Sequence, residues 1–317
     1  MPPSCASGAT MTIPRFILGT RGSPLALAQA HMTAKALEAA HGWPVDAVAI
    51  HVVLTSGDRI QDRALAEVGG KALWTKELDV ALLAGETHAS VHSMKDVESE
   101  RPEALLIAAM LERADVRDRL IGARTVQDLP HGARVGTASP RRAAQLKRAR
   151  PDLVTTLLRG NVETRLAKHD AGEVDATLLA AAGLDRLGKS QTGSAVPIET
   201  MLPAPAQGAV GIECRADDDH THTLLLAIDH RQTHDCVAAE RAFTRALGGT
   251  CHSPVAALAR IEGDTIWLVA EILAEDGSAW EADEARFSAG DLDAPAALAR
   301  AMLLRAPQTI RRLFEAA

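Results

Sequence analysis

A loop cysteine, a lysine–aspartate pair and a set of arginines are the residues of this chain whose types and spacing could do chemistry. Cys251 stands in Leu247-Gly248-Gly249-Thr250-Cys251-His252-Ser253-Pro254, between a helix-like run and a strand-like run. The paired glycines permit positive φ and let a bulky group come close. A thiol on such a loop is better placed for chemistry than one in a packed face. The plain alternative is a small buried apolar residue. Lys95 and Asp96 end the run Val91-His92-Ser93-Met94. A lysine there could form a Schiff base. The aspartate could carry a proton or balance a developing cation, and the two together could also be no more than a structural ion pair.

The arginines follow a rule of position. In open α/β sheets the ends of the strands face the ligand crevice. That rule selects Arg21, Ser23, Asp58, Lys95, Asp96, Thr137, Ser139, Arg141, Arg142, Arg159, Arg165 and Arg186. Between Thr137 and Arg165 seven basic residues face two acidic ones, in a chain whose formal net charge is −7. Cations at helix starts oppose the macrodipole, which favours anions there. A shared anion from elsewhere would resolve the conflict, and arginine's planar fork suits carboxylate or phosphate. Lys147, Arg148 and Arg150 read instead as a solvated helix face. No Gly-x-x-x-x-Gly-Lys-Ser/Thr loop occurs, so a nucleoside triphosphate is not indicated.

The elements that must position these residues alternate. Phe16 to Gly19 reads as a strand, then Ser23 caps and Pro24 opens a helix to about His41. Val45–Thr55 is a strand ending at Asp58, and a helix spans about Trp74 to Leu83. Ser90–His92 is the next strand, and from Leu105 the pattern passes into a second unit. Arg134–Gly136 is a strand before the cap Ser139 and first-turn Pro140, with a helix to about Arg150. Leu153–Leu158 and Val174–Leu179 are strands flanking a helix capped by Asn161, and Val210–Cys214 follows the linker Pro203–Gly208. Beyond Ala216 the character changes: a helix from about Cys236 to Leu247, three strands with tight turns over 255–287, and a helix from near Pro295. The fold class is α/β, with a separate C-terminal α+β unit holding a small antiparallel sheet.

Composition narrows the function. Aromatics are 3% of the 317 residues and tyrosine is absent, which argues against base stacking. The acidic balance argues against tracking a nucleic-acid backbone. No apolar run approaches the ~20 residues of a membrane span. Met1–Thr12 lacks the pattern of a signal peptide and reads as a disordered lead-in, with Met11 an alternative start. Cys5, Cys214, Cys236 and Cys251 have no metal spacing, so no metal is expected and reduced thiols in the cytoplasm fit best.

Several motifs occur in one order: Arg21-Gly22-Ser23-Pro24-Leu25-Ala26-Leu27, Val91-His92-Ser93-Met94-Lys95-Asp96, Arg141-Arg142, Leu158-Arg159-Gly160-Asn161-Val162 with Thr164-Arg165, Gln207-Gly208-Ala209-Val210-Gly211-Ile212-Glu213-Cys214-Arg215, and Gly248-Gly249-Thr250-Cys251. From about Ile13 onward the chain resembles porphobilinogen deaminase (hydroxymethylbilane synthase). The resemblance implies a transferase of tetrapyrrole and heme biosynthesis. Four porphobilinogen units would be joined head to tail with loss of ammonia, and the linear product released by hydrolysis. A dipyrromethane cofactor, held by a thioether to Cys251, would prime the reaction. Arg21, Ser23, Lys71, Lys95, Thr137, Ser139, Arg141, Arg142, Arg159, Arg165 and Gln207 would bind cofactor and substrate carboxylates, and Arg186 would contact substrate. Asp96 would stabilise the azafulvene cation left by deamination.

The same resemblance implies two periplasmic-binding-protein type II-like lobes plus the C-terminal domain, acting as a monomer with no nucleic-acid or membrane partner. The expected division is a lead-in over 1–12, domain 1 over 13–112 and 206–227, domain 2 over 113–205 and domain 3 over 228–317. Glu67, Trp74, Glu98 and Pro140 depart from the pattern; Glu98 stands where relatives commonly carry proline, and Glu67 where many carry lysine. Two other classes share parts of it. A carboxylate-binding transport or sensor protein would have the lobes and arginines but no use for Cys251, and a pyridoxal enzyme would use Lys95.

Overall fold

The computed structural model describes residues 16–54, 75–248 and 253–314. Strands β1 (Phe16–Arg21), β2 (Val48–Val53), β3 (Ala89–Ser93) and β4 (Leu105–Met110) are laid down first. A second sheet then takes β5 (Asp118–Ile121), β6 (Arg134–Gly136), β7 (Val154–Thr156), β8 (Ala176–Ala180) and β9 (Ser194–Ala195), before β10 (Val210–Arg215) returns to the first. The orders are β2-β1-β3-β10-β4 and β7-β6-β8-β5-β9. Each sheet has three parallel strands, then one antiparallel strand contributed across the boundary, then an outer strand. The lobes are therefore topological copies joined by two crossovers, one between β4 and β5 and one between β9 and β10. This is the two-lobed arrangement expected of the sequence. The passage into a second unit comes later than Leu105, however: Leu105–Met110 is β4 and pairs with β10 in the first sheet.

Helices form where the caps predict. Ser23 accepts from the Ala26 amide at 3.3 Å and opens α1 (Pro24–His41), which ends at Gly42 with φ 63°. Helix α2 is Lys76–Leu83. Ser139 caps α3 (Pro140–Ala149), with Pro140 in its first turn, and Asn161 caps α4 (Val162–Asp170) through the Thr164 amide at 2.9 Å. Short α5 (Ala181–Arg186) follows β8, and α6 (Asp219–Leu226) follows β10. The next helix, α7 (Arg231–Leu247), starts five residues ahead of its sequence expectation because His230 accepts from the Thr233 amide and caps it.

The C-terminal unit stacks α7 and α8 (Asp293–Arg305) on an antiparallel sheet of β11 (Val255–Glu262), β12 (Thr265–Leu273) and β13 (Trp280–Ser288). Phe243, Leu268, Ile272 and Met302 fill its core with no exposure. Each lobe has its own core, around Leu18, Leu37 and Ile212 in one and Leu120, Val135 and Leu178 in the other. Polar contacts join the three bodies. Glu240 on α7 is fully buried and accepts both ends of the Arg113 guanidinium at 2.7 and 3.0 Å, together with the amides of Ala206 and Ala259. Arg113 lies on the first crossover and Ala206 on the second, so one carboxylate anchors both connections to the C-terminal sheet.

Candidate active site

A cleft of about 560 Å³ opens where the C-terminal ends of the parallel strands of both lobes converge. Arg21 and Ser23 enter it after β1, and Lys95 and Asp96 from the 3-10 turn Met94–Asp96 after β3. Arg142 comes from α3, Arg159 and Gly160 from beyond β7, Arg165 from α4, and Arg186 from α5. Strand ends and helix starts collect here because the parallel strands of each lobe all point their carboxyl ends the same way. The backbone starts of α1 and α4 also line the cleft, and free N–H groups there favour anions.

The electrostatics are those of a site waiting for negative charge. Lys95 has its pKa pushed down to about 8, first by burial and then by Arg142 and Arg165, against the pull of Asp96 and Asp118. Arg165 is lowered to about 10 by burial, then by Arg142 and Arg159. Its Nε donates to the Gly160 carbonyl at 2.9 Å. Arg186 reaches across to the Gly208 carbonyl of the second crossover at 2.7 Å. Among the described residues buried donors of the cleft remain unused: Arg159 Nη1, Arg186 Nε and Arg142 Nε have no partner, nor has Arg141 Nε behind them. Among the described residues, neither the Lys95 ammonium nor the Asp96 carboxylate makes a hydrogen bond or ion pair. A structural Lys95–Asp96 bridge is thus absent. Since an unpaired buried donor costs about 1–3 kcal/mol, more when charged, the set fits a ligand bearing several carboxylates.

Four of the expected binding residues stand behind this surface. Arg141 is buried and committed to Asp118 at 2.8 Å, to Gln145 at 2.9 Å and to the Leu202 carbonyl at 2.8 Å. Gln207 donates to the Val116 carbonyl and to Asp118 at 2.9 Å. Thr137 accepts from the Ser139 amide, and Ser139 caps α3. Arg142 does both jobs, pairing with Asp118 at 2.6 Å and lining the cleft. Lys71 and Cys251, with Asp58, Glu67 and Trp74, lie outside the described residues.

Asp118 is the residue sequence reading missed. Burial raises its pKa, but Arg142 and Arg141 win and hold it well below the usual carboxylate range. Its charge balance with the Arg141-Arg142 pair was the available signal. Arg148, read as solvent-facing, is instead paired with Glu271 and lies 5.4 Å over the Trp280 ring. Arg150 pairs with Asp152 at 2.7 Å and closes carbonyls around Leu129. Glu98 has a partner of its own, Arg101 at 3.0 Å, whose guanidinium also binds Glu213 and Asp79.

Fold and site together define a two-lobed protein whose cleft gathers several cations around one aspartate that, among the described residues, makes no hydrogen bond or ion pair. Residues 16–223 match the family model "Porphobilinogen deaminase, dipyromethane cofactor binding domain", and residues 234–303 match "Porphobilinogen deaminase, C-terminal domain". The chain belongs to the porphobilinogen deaminase family. It is 59% identical over 303 residues to porphobilinogen deaminase of Sphingopyxis alaskensis, covering 94% of this chain and 96% of that one. It is 52% identical over 264 residues to the Paracoccus denitrificans enzyme, covering 82% and 84%. Among solved structures, a substrate-binding domain of a putative amino acid ABC transporter from Streptococcus pneumoniae aligns with TM-score 0.41 at 12% identity, over 74% of this chain and 94% of that chain.

Proposed function

We propose that the cleft holds the dipyrromethane and the growing chain through Arg142, Arg159, Arg165, Arg186 and Lys95, and that Asp96 acts on the reacting pyrrole. The reaction is that of the family: four porphobilinogen units are joined head to tail with loss of ammonia, and hydroxymethylbilane is released by hydrolysis. The observation that carries the assignment of roles is the set of buried cation donors around a carboxylate, all of them without a hydrogen-bond partner among the described residues. Each porphobilinogen brings an acetate and a propionate, so every added unit needs further cations.

When bound, the dipyrromethane supplies the primer whose free ring carbon accepts the first unit. The residues of the chain do the rest. As the aminomethyl C–N bond breaks and ammonia leaves, positive charge spreads onto the pyrrole nitrogen of the substrate. Asp96 stabilises that charge and orients the ring for attack. Lys95 and the arginines fix the carboxylates and hence the distance between reacting carbons. Arg141, Gln207 and Asp118 support Arg142 from behind, and Ser23, Ser139 and Thr137 set the helix starts; Arg21 and Lys71 complete the anion-binding set.

The sheet memberships support a division into 13–112 with 206–227, 113–205 and 228–317. In sequence Cys251 comes shortly after Gly248, whose φ of 71° ends α7, the helix that also carries Glu240. Mass spectrometry tests the assignment. The denatured protein is expected to carry two pyrrole units on Cys251, while Cys251→Ser folds without them. A bare chain, or an adduct on Cys5, Cys214 or Cys236, would refute it. Native mass spectra of the same sample check the monomer, one chain of 33.5 kDa plus adduct.

A further inference from the structure

Helix α3 presents Arg142 to the cleft at its start and is gripped by the C-terminal unit further along. The gripping residue is Glu271 on β12, which is 5% exposed. Its Oε2 accepts from Gln145 Nε2 at 2.9 Å, and its Oε1 pairs with Arg148. The turn between β12 and β13 lies against the same helix. A Cβ on Gly277, whose φ is +71°, would stand 2.5 Å from the Ala144 carbonyl oxygen and 2.6 Å from the Arg148 nitrogen. Only glycine allows so close an approach.

From Gln145 the contacts run inward without a break. Gln145 Oε1 accepts from Arg141 Nη1 at 2.9 Å, and Arg141 Nη2 donates to Asp118 at 2.8 Å. The other Asp118 oxygen accepts from Arg142 at 2.6 Å and from Gln207 at 2.9 Å. Glu271, Gln145, Arg141, Asp118 and Arg142 are all buried. The Gln145 amide has a fixed sense in this chain: its oxygen must face Arg141, and its nitrogen must face Glu271 and the Leu202 carbonyl. Buried networks of this kind have few arrangements, so removing one acceptor moves the donors that remain.

We propose that Glu271 is a positioning residue for the polymerisation. Through Gln145, Arg141 and Asp118 it sets where Arg142 offers its spare Nε to substrate carboxylates, and so couples the C-terminal unit to the second lobe. Arg148 contributes the outer half of the grip, which holds the two bodies together without aiming Arg142. This role rests on the reading that Arg142 binds substrate.

The test compares variants of the full holoenzyme by kcat and KM for porphobilinogen, at a temperature where melting curves show each folded. Glu271→Leu removes the acceptor for Gln145 and is expected to lower kcat/KM about 2- to 30-fold, mostly through KM. Glu271→Gln keeps an oxygen for Gln145 but loses the charge facing Arg148. Glu271→Gln and Arg148→Met should each melt earlier while holding kcat/KM within about twofold of the parent. A Glu271→Leu enzyme that melts earlier but keeps its KM would overturn the proposal. So would an Arg148→Met enzyme that reproduces the kinetic loss. Arg142→Lys is measured alongside. If its KM is unchanged, the reading of Arg142 as a substrate ligand fails; if it rises while Glu271→Leu is silent, only the coupling fails. Should Glu271→Leu not fold, Gln145→Met cuts the same link one step inward. Its KM is expected to rise, and an unchanged KM would count against the relay.

Discussion

Asp96→Asn separates a catalytic carboxylate from a structural one, because the side chain has no partner to lose. Among the described residues it makes no hydrogen bond or ion pair, and its influence on Lys95 and Arg165 is electrostatic attraction alone. Losing that attraction should cost stability on the order of 1 kcal/mol, a few °C in melting temperature for a chain of this size. The transition state is another matter. A carboxylate about 4 Å from a pyrrole nitrogen carrying full positive charge gains roughly 4 kcal/mol at an effective dielectric of 20. That lies at the upper end of the range measured for single preorganised groups, about 10²–10³ in rate. Single-turnover release of ammonia from porphobilinogen, followed beside a melting curve, reads both numbers on one sample. The expected result is a fall of that size with the fold intact, and Asp96→Glu should keep part of the rate because it keeps the charge at a shifted position. If folded Asp96→Asn releases ammonia at the parent rate, Asp96 has no part in the chemistry.

Asp118→Asn should behave in the opposite sense. It strips the counter-charge from two buried guanidinium groups at 2.8 and 2.6 Å, and the usual cost of breaking such a buried pair is about 3–5 kcal/mol. A melting temperature lower by on the order of 10 °C is expected, and a variant melting with the parent would show that the arginines find other acceptors. Lys95 gives a pH signature. With a folded pKa of about 8, its charge is lost as pH rises through that value, so kcat/KM should fall above pH 8, and Lys95→Arg should move the fall upward. Stability runs the other way. Between the folded value and the unfolded value of 10.5 the unfolded chain holds more protons, so the contribution of Lys95 to stability grows with pH. The advantage of Lys95→Met in melting temperature should therefore shrink from pH 7 to pH 10; a constant gap would mean that Lys95 does not titrate there.

Local signals in the sequence were enough for the elements that carry the site. Ser23-Pro24, Ser139-Pro140 and Asn161 each open a helix where cap chemistry requires, and the three C-terminal strands lie within a residue or two of their expected ends. What stayed hidden depends on partners far along the chain. Strand β5 begins with a charged residue, and that aspartate is buried only because Arg141 and Arg142 arrive beside it from α3. Strand β9 is two residues long and exists as an edge to β5. Helix α6 opens on Asp218-Asp219-His220, which reads as loop until the Asp218 carboxylate is seen to accept from the Thr221 amide at 2.9 Å. Arg141 and Arg142 are neighbours in sequence, yet about 100° apart around a helix. Which of them meets the cleft is decided by how α3 sits on the second sheet, a tertiary fact.

The same structure shows what separates a cation that builds this protein from one that serves its substrate. Arg141 is buried and Arg101 and Arg113 are partly buried, and each is met by a buried carboxylate of the chain itself: Asp118, Glu213 and Glu240 respectively. Arg159, Arg165 and Arg186 reach only backbone carbonyls or nothing, and among the described residues none of them forms an ion pair with an acid, although Asp96 attracts Arg165 and Asp185 attracts Arg186 from further off. Charge buried without a counter-charge works against folding. A sequence that keeps three such arginines and a lysine in one cleft retains that cost for a ligand to remove. Arg142 belongs to both groups, pairing with Asp118 and also lining the cleft, which Arg141 does not. It is therefore the residue through which the packing of the lobes can reach the chemistry, and its fixed face is the reason the supports of Asp118 matter to binding as well as to folding.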